Sequence, residues 1–299
     1  AIFRGMGDSK SPMYFIAIAC AANIVLDYVF IGGLHLGPAG AALGTTCAQA
    51  VSVVISLFMI IRQRKELALS RKDFRLSHNI MGQILKIGIP IALQDGFIQV
   101  AFMIITIIAN QRGLNDAAAV GIVEKIISFL FLIPSSMLST VSALGAQNIG
   151  AGKRQRANET LRYAVLITVG FGIIVGIFMQ FFASTVVALF TDTSDAQGAE
   201  VVRLGGQYLR GYVWDCMFAG IHFSFSGYFC ACGKSGISFL HNIIAITLVR
   251  IPGVYLASTL FPDTLFPMGL ATAAGSLLSA IICIVAFTIL NRKKKMKKD

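Results

Sequence analysis

The chain has 299 residues, 56% hydrophobic and 13% charged, with a mean hydropathy of +0.76 and a formal net charge of +11. That balance excludes a soluble globular domain, and apolar stretches of about 20 residues, enough to cross about 30 Å of hydrocarbon, mark a multispanning membrane protein. The basic excess does not mark a nucleic-acid surface, because no soluble domain and no aromatic interleaving accompany it.

Hydropathy places eight spans, at about 13–33, 38–61, 84–108, 117–148, 160–182, 201–231, 236–260 and 267–290. Each is expected to be helical, since lipid tolerates only helices or closed barrels and these runs are continuous, not alternating. The polar stretch after the second span reads as a linker, dividing the chain into 1–62, a linker 63–82 and a six-helix lobe 83–299 with a basic tail. Pro90, Pro134 and Pro252 interrupt spans, and Gly40 with Gly44, or Gly172 with Gly176, offer faces for close helix packing.

Charge sets the expected topology. Of the 25 basic residues, 20 fall at the two ends or in alternate loops, among them Lys10, Arg62, Lys153, Arg154, Arg156 and Lys234. The intervening loops carry Asp116, Asp192, Asp195, Glu200 and Asp263 with only Arg112 and Arg203. The positive-inside rule therefore puts both ends in the cytoplasm. The six cysteines lie in or at the ends of apolar segments without CxxC spacing, as expected of free core thiols.

The end of the chain repeats its beginning. Pro38-Ala39-Gly40-Ala41-Ala42-Leu43 returns as Pro267-Met268-Gly269-Leu270-Ala271-Thr272, and Gly7-Asp8-Ser9 returns as Gly233-Lys234-Ser235. Matched blocks that far apart imply duplicated lobes. The second copy has four spans ahead of it inside its lobe and the first has none, so about 150 residues and four helices are expected to precede Ala1 in a longer parent.

A carboxylate in hydrocarbon costs at least about 2.5–3.5 kcal/mol and is functional by default. Asn23 and Asp27, at i and i+4, share a helical face, and Thr45 lies at a similar depth of roughly 10 Å in the next span. Amide, carboxylate and hydroxyl together suit Na⁺, and the carboxylate alone suits a proton. The alternative is that Asn23 and Thr45 only bond neighbouring helices. The second lobe offers Gln94, Asp95 and Gln99 in the third span and Trp214 with Asp215 in the sixth, as lining of a substrate cavity. A cationic substrate would be drawn by the carboxylates and stack on Trp214. Glu124 and Lys125 are expected to neutralise charge locally, Arg250 to pair with a carboxylate, and His222 to be a packed core histidine. No enzyme motif survives inspection: Gly233-Lys234-Ser235 lacks the glycine five positions earlier that a phosphate loop needs, and it leaves a membrane helix.

These residues resemble a family. Phe3-Arg4-Gly5-Met6-Gly7-Asp8-Ser9-Lys10-Ser11-Pro12 with Asn23-Ile24-Val25-Leu26-Asp27 is similar to the fifth helix of bacterial multidrug and toxic compound extrusion (MATE) transporters, and Pro38-Ala39-Gly40-Ala41-Ala42 to the sixth. Ala146-Gln147-Asn148-Ile149-Gly150-Ala151-Gly152-Lys153 resembles that family's Gln-Asn-x-Gly-Ala-Gly signature, and Val249-Arg250-Ile251-Pro252 its eleventh helix. The resemblance implies an all-α membrane protein, eight transmembrane helices here out of twelve in two pseudo-symmetric six-helix lobes. It also implies an N-lobe cation site onto which Asn23, Asp27 and Thr45 fall, whereas the acidic C-lobe position of another branch is met here by about Ile98 or Gln99.

The expected function is a cation-coupled antiporter in a bacterial inner membrane, exporting amphipathic, cationic compounds, with H⁺ or Na⁺ at Asp27 as coupling ion and no other cofactor. Its partners would be a small-molecule substrate and membrane lipid, with no nucleic acid and no second subunit. The alternative is a lipid-linked oligosaccharide flippase of the same superfamily, which would need a cavity lined with Arg and Lys.

Overall fold

The computed structural model describes residues 2–5, 7–62, 77–191, 193 and 195–295. Helix follows helix, with no strand among the described residues, as hydrocarbon requires of a backbone that must satisfy its own polar groups. The chain divides into two compact units, 1–78 and 79–299.

The first unit is a helix pair. One turn, Ile2–Gly5, leads into α1 (Lys10–Asp27), which runs on as a π-helical stretch, Tyr28–Gly33, before α2 (Gly37–Arg62). Asp8 caps α1, its carboxylate accepting from Lys10 N at 2.9 Å, Ser11 N at 3.1 Å and Ser11 Oγ at 2.5 Å. The Ser11 hydroxyl bond, first, and the Ser11 amide hold this carboxyl below the usual carboxylate range, so the cap is charged at neutral pH and is lost as pH falls. The buried stripe of α2 is Gly40, Gly44 and Ala48, one residue per turn. At Gly40 a side chain would meet the Phe30 carbonyl oxygen at 3.1 Å, and at Gly44 it would meet the Asp27 carboxylate. The small-residue face is thus what lets α1 and α2 approach.

The second unit contains α3 (His78–Arg112), α4 (Leu114–Leu130), α5 (Leu132–Gly150) and α6 (Arg154–Ala188). It continues with α7 (Ala196–Tyr212), α8 (Asp215–Ala231), α9 (Ser235–Ala245), a second π-helical stretch Ile246–Arg250, α10 (Ile251–Leu260) and α11 (Phe266–Lys295). α8 is the hub, packed against α5, α6, α9 and α11. Val120, Val123, Tyr208, Leu209, Tyr212 and Met268 centre one apolar core, and Val141, Leu161, Phe229 and Cys283 a second.

Several boundaries differ from the sequence expectation. Among the described residues, seven of the eight expected spans are runs long and apolar enough to cross a membrane, and the eighth is present in two pieces. The expected span 201–231 is two helices of 17 residues, α7 and α8, separated at Val213–Trp214, where Cys216 N and Met217 N bond three residues back to Val213 O and Trp214 O at 3.0 and 3.2 Å. The span 117–148 breaks at Phe131, because Pro134 has no N–H to give to the preceding turn. Pro252 does the same to the carbonyls of the second π-helical stretch. α3 and α6 reach 35 residues each, well beyond 84–108 and 160–182, because polar and basic turns carry them past the apolar stretch. Of the expected linker 63–82, residues 63–76 lie outside the described residues, and residues 78–82 are already helix.

The repeated glycine motif is a helix stop. Gly7 and Gly233 have φ of +90° and +68°, and the next residue donates its amide five positions back, Asp8 N to Phe3 O at 2.9 Å and Lys234 N to Phe229 O at 2.8 Å. Gly152 (φ +74°) repeats the bond, Lys153 N to Asn148 O at 2.8 Å. A residue in the left-handed region closes the helix and favours glycine.

α7 and α11 cross at Gly211 and Gly269, where a Cβ on Gly269 would meet Tyr212 N at 2.7 Å. Gly269→Val is expected to force the helices apart at a cost of about 2–3 kcal/mol, lowering the apparent Tm by roughly 5–10 °C in detergent. Gly170→Ala, which has open space, should leave Tm unchanged.

Candidate functional site

Asp27 closes α1 at the point where the helix changes to π geometry. Its carboxylate accepts from Asn23 Nδ2 at 3.4 Å and lies in the notch left by Gly44, and both side chains are half-buried. Thr45 donates no hydrogen bond to it among the described residues. Its hydroxyl donates to Ala41 O at 3.0 Å and is exposed, because it sits one residue, a quarter turn, around from the buried Gly40–Gly44–Ala48 stripe. The observed arrangement is an amide and a carboxylate over a glycine, with the hydroxyl turned onto its own helix.

The second unit sorts its charges sharply. Asp215, fully buried at the start of α8, accepts from Arg250 Nη2 at 2.6 Å, and the guanidinium also lies over the Phe102 ring, 5.6 Å from its centroid. Asp215 is therefore spent on Arg250 and does not line a cavity, contrary to the expectation. Trp214 packs its ring on Gly176 of α6, where an added Cβ would be 2.9 Å from Cζ3, so it too is a packing residue. Glu124 accepts from Thr106 Oγ1 at 3.2 Å beside the exposed Lys125. His222 is a core residue, 4% exposed, its ring 5.6 Å from that of His241, which bonds Ser226 and Ser279. Arg112 and Arg210 are clamps: Arg112 pairs with Asp116 at 2.8 Å and donates to the carbonyls of Ser258, Phe261 and Pro262, and Arg210 donates to Gln180 O.

The three polar residues expected on α3 separate. Gln94 is fully buried, with neither amide atom partnered among the described residues, whereas Asp95 and Gln99 are exposed. They belong to a stripe of Gly88, Ala92, Asp95, Gly96 and Gln99, exposed throughout and small or polar. The adjacent exposed face, Ile89, Leu93, Val100 and Ile107, is large and apolar, as suits lipid. α5 carries a similar stripe that composition concealed: Ser136, Ser139 and Thr140 are exposed, the latter two hydroxyls bonding Ser136 O at 3.0 and 2.9 Å.

A model of the family described as MatE matches residues 90–256, more than half of the chain. The chain belongs to the MatE family. It is 28% identical over 257 residues to the probable multidrug resistance protein YpnP of Bacillus subtilis, covering 86% of this chain and 56% of that one. It is 26% identical over 286 residues to the FAD transporter of Shewanella oneidensis, covering 94% and 61%. The fold matches the solved structure of MATE in complex with MaL6, with a TM-score of 0.90 at 21% identity over 100% of this chain and 66% of that one. The chain thus spans about 56–66% of the length of these relatives. The relatives in this family carry the names of transporters and drug-resistance proteins, not of enzymes.

In this MatE-family chain the serine stripe of α5 could have been found from the i, i+3, i+4 spacing of Ser136, Ser139 and Thr140, which places three hydroxyls on one face of a membrane helix. The removal of Asp215 and Trp214 from the cavity had no such signal, because their partners lie 35 residues away or more. Arg250→Met should leave a buried uncompensated carboxylate and cost about 3–5 kcal/mol, read as a large loss of monodisperse protein after heating. Combining it with Asp215→Leu should recover much of that loss.

Proposed function

We propose that the full-length protein is a cation-coupled exporter of amphipathic, cationic compounds in a bacterial inner membrane, with both ends of this chain cytoplasmic as the charge distribution implies. The observation that carries the reading is Asp95, a carboxylate exposed on a small, polar face of a membrane helix, with no ion pair among the described residues. A charge there suits a water-filled cavity and attracts cations. Asp27 is the proposed coupling residue: it sits in a glycine notch with Asn23 as partner, at a change of helix type of the kind found at functional sites, and binds H⁺ or Na⁺. Cation binding would bias one state of the transporter, and substrate would leave as the cation enters. Thr45 contributes at most a lone pair, since its proton is engaged.

The flippase reading needs a cavity lined with cations. Arg112, Arg210 and Arg250 are instead bound to carboxylates and carbonyls, which favours the export of cations. The relatives described as multidrug export proteins support the same reading, for example MepA of Staphylococcus haemolyticus, 26% identical over 259 residues.

The test is efflux of a monovalent cationic dye by the full-length protein in a strain lacking its own pumps, with proton and sodium gradients collapsed separately. Asp27→Asn should reduce efflux to the empty-vector level with expression intact. Asp95→Asn should weaken export of the cationic dye by about tenfold, or roughly 1.4 kcal/mol, and that of a neutral dye far less. Wild-type efflux in Asp27→Asn would remove this residue from coupling, and equal losses for both dyes in Asp95→Asn would remove the charge-reading role.

A further inference from the structure

At the turn from α5 into α6, Gly152, Lys153, Arg154, Gln155, Arg156 and Glu159 line an open cleft of about 610 Å³. Three cations face one carboxylate, and Glu159 Oε1 accepts from Gln155 Nε2 at 3.2 Å. None of the three is ion-paired among the described residues. Arg112, Arg210 and Arg250 have protein acceptors, whereas Lys153, Arg154 and Arg156 are exposed and gathered in one cleft.

The framework holding them is fixed. Lys153 N bonds Asn148 O at 2.8 Å behind the left-handed Gly152, Tyr228 OH donates to Asn158 Oδ1 at 2.7 Å, and Ala157, Leu161 and Ala164 seat α6 in the core. The basic side chains project from this base into solvent.

The same face of α6 changes character within two turns. Arg156 and Glu159 are followed at i+7 and i+10 from Arg156 by Tyr163 and Leu166, with Ile167 beside them, 63%, 56% and 55% exposed. A cationic cleft running directly into an exposed apolar strip, with a tyrosine at the boundary, matches an anionic headgroup above acyl chains. A soluble phosphate ester would satisfy the cations and gain nothing from the strip. We propose that this cleft binds the phosphate headgroup of an anionic phospholipid, whose acyl chains lie along Tyr163, Leu166 and Ile167. Arginines and lysines there would engage the phosphate oxygens through charge-assisted hydrogen bonds.

The test uses the delipidated full-length protein, monitored by native mass spectrometry during titration with cardiolipin, phosphatidylcholine or inorganic pyrophosphate. Cardiolipin should bind at least about tenfold more tightly than phosphatidylcholine. Lys153→Gln, Arg154→Gln and Arg156→Gln together should remove that preference, whereas removing three charges from the C-terminal tail (Lys294→Gln, Lys295→Gln, Lys297→Gln) should preserve it. Glu159→Gln removes the one opposing charge and should tighten cardiolipin, which keeps the test decisive even where the triple variant folds poorly. Undiminished cardiolipin binding in a folded triple variant, equal loss in the tail variant, or no tightening in Glu159→Gln would overturn the site. Pyrophosphate binding as tightly as cardiolipin would overturn the lipid assignment in favour of a free phosphate.

Discussion

Hydrocarbon offers helices no hydrophobic incentive to associate, so packing in this chain depends on how closely backbones can approach, and glycine decides where they do. α8 shows the consequence. Its Gly220 admits Thr168 of α6 and its Gly227 admits the Leu138 backbone of α5, while Gly172 and Gly176 of α6 receive Met217 and Trp214 in return. Once helices are this close, a polar group between them has no room for solvent and must find a protein partner or become expensive. The Asp215–Arg250 pair is the outcome at the centre of the second unit, with Gly275 making space for the Arg250 side chain, 2.8 Å from where a Cβ would stand.

That constraint separates the in-span polar residues into groups with different work. Arg112, Arg210, Arg250 and Asp215 are consumed by the fold. Asp27 is held in a glycine notch with Asn23 as its one hydrogen-bond partner among the described residues, a long bond that positions the carboxylate. Asp95, Gln99 and the α5 hydroxyls stand on exposed faces. The proposed export function would draw on all three: charges that hold helices together, one that could exchange its ion, and a surface that could meet cargo. Both Asp27 and Arg250 also abut π-helical stretches, where the regular hydrogen-bond ladder is broken and a small repacking of the turn costs less than in an α-helix.

Much of this was legible in the sequence. Composition and run length were enough for a helical membrane protein, because lipid leaves a backbone no other choice. Glycine-containing motifs such as Gly7-Asp8 and Gly233-Lys234 carried their own geometry, since a left-handed residue ending a helix is a local requirement, and the i, i+4 spacing placed Asn23 on Asp27 directly. Only the tertiary structure decided which polar residues are spent. Gln94 and Asp95 are neighbours in the chain and equally polar, yet one is buried and the other exposed, because a single residue turns a helix by about 100°. Thr45 and Gly44 differ in the same way, and the glycine faces Asp27. Asp215 looked like a cavity carboxylate until Arg250, 35 residues later, met it across the helix interface. Depth in a membrane follows from counting residues along one helix, whereas azimuth relative to a neighbour depends on how two helices pack, and no single segment of sequence contains that information.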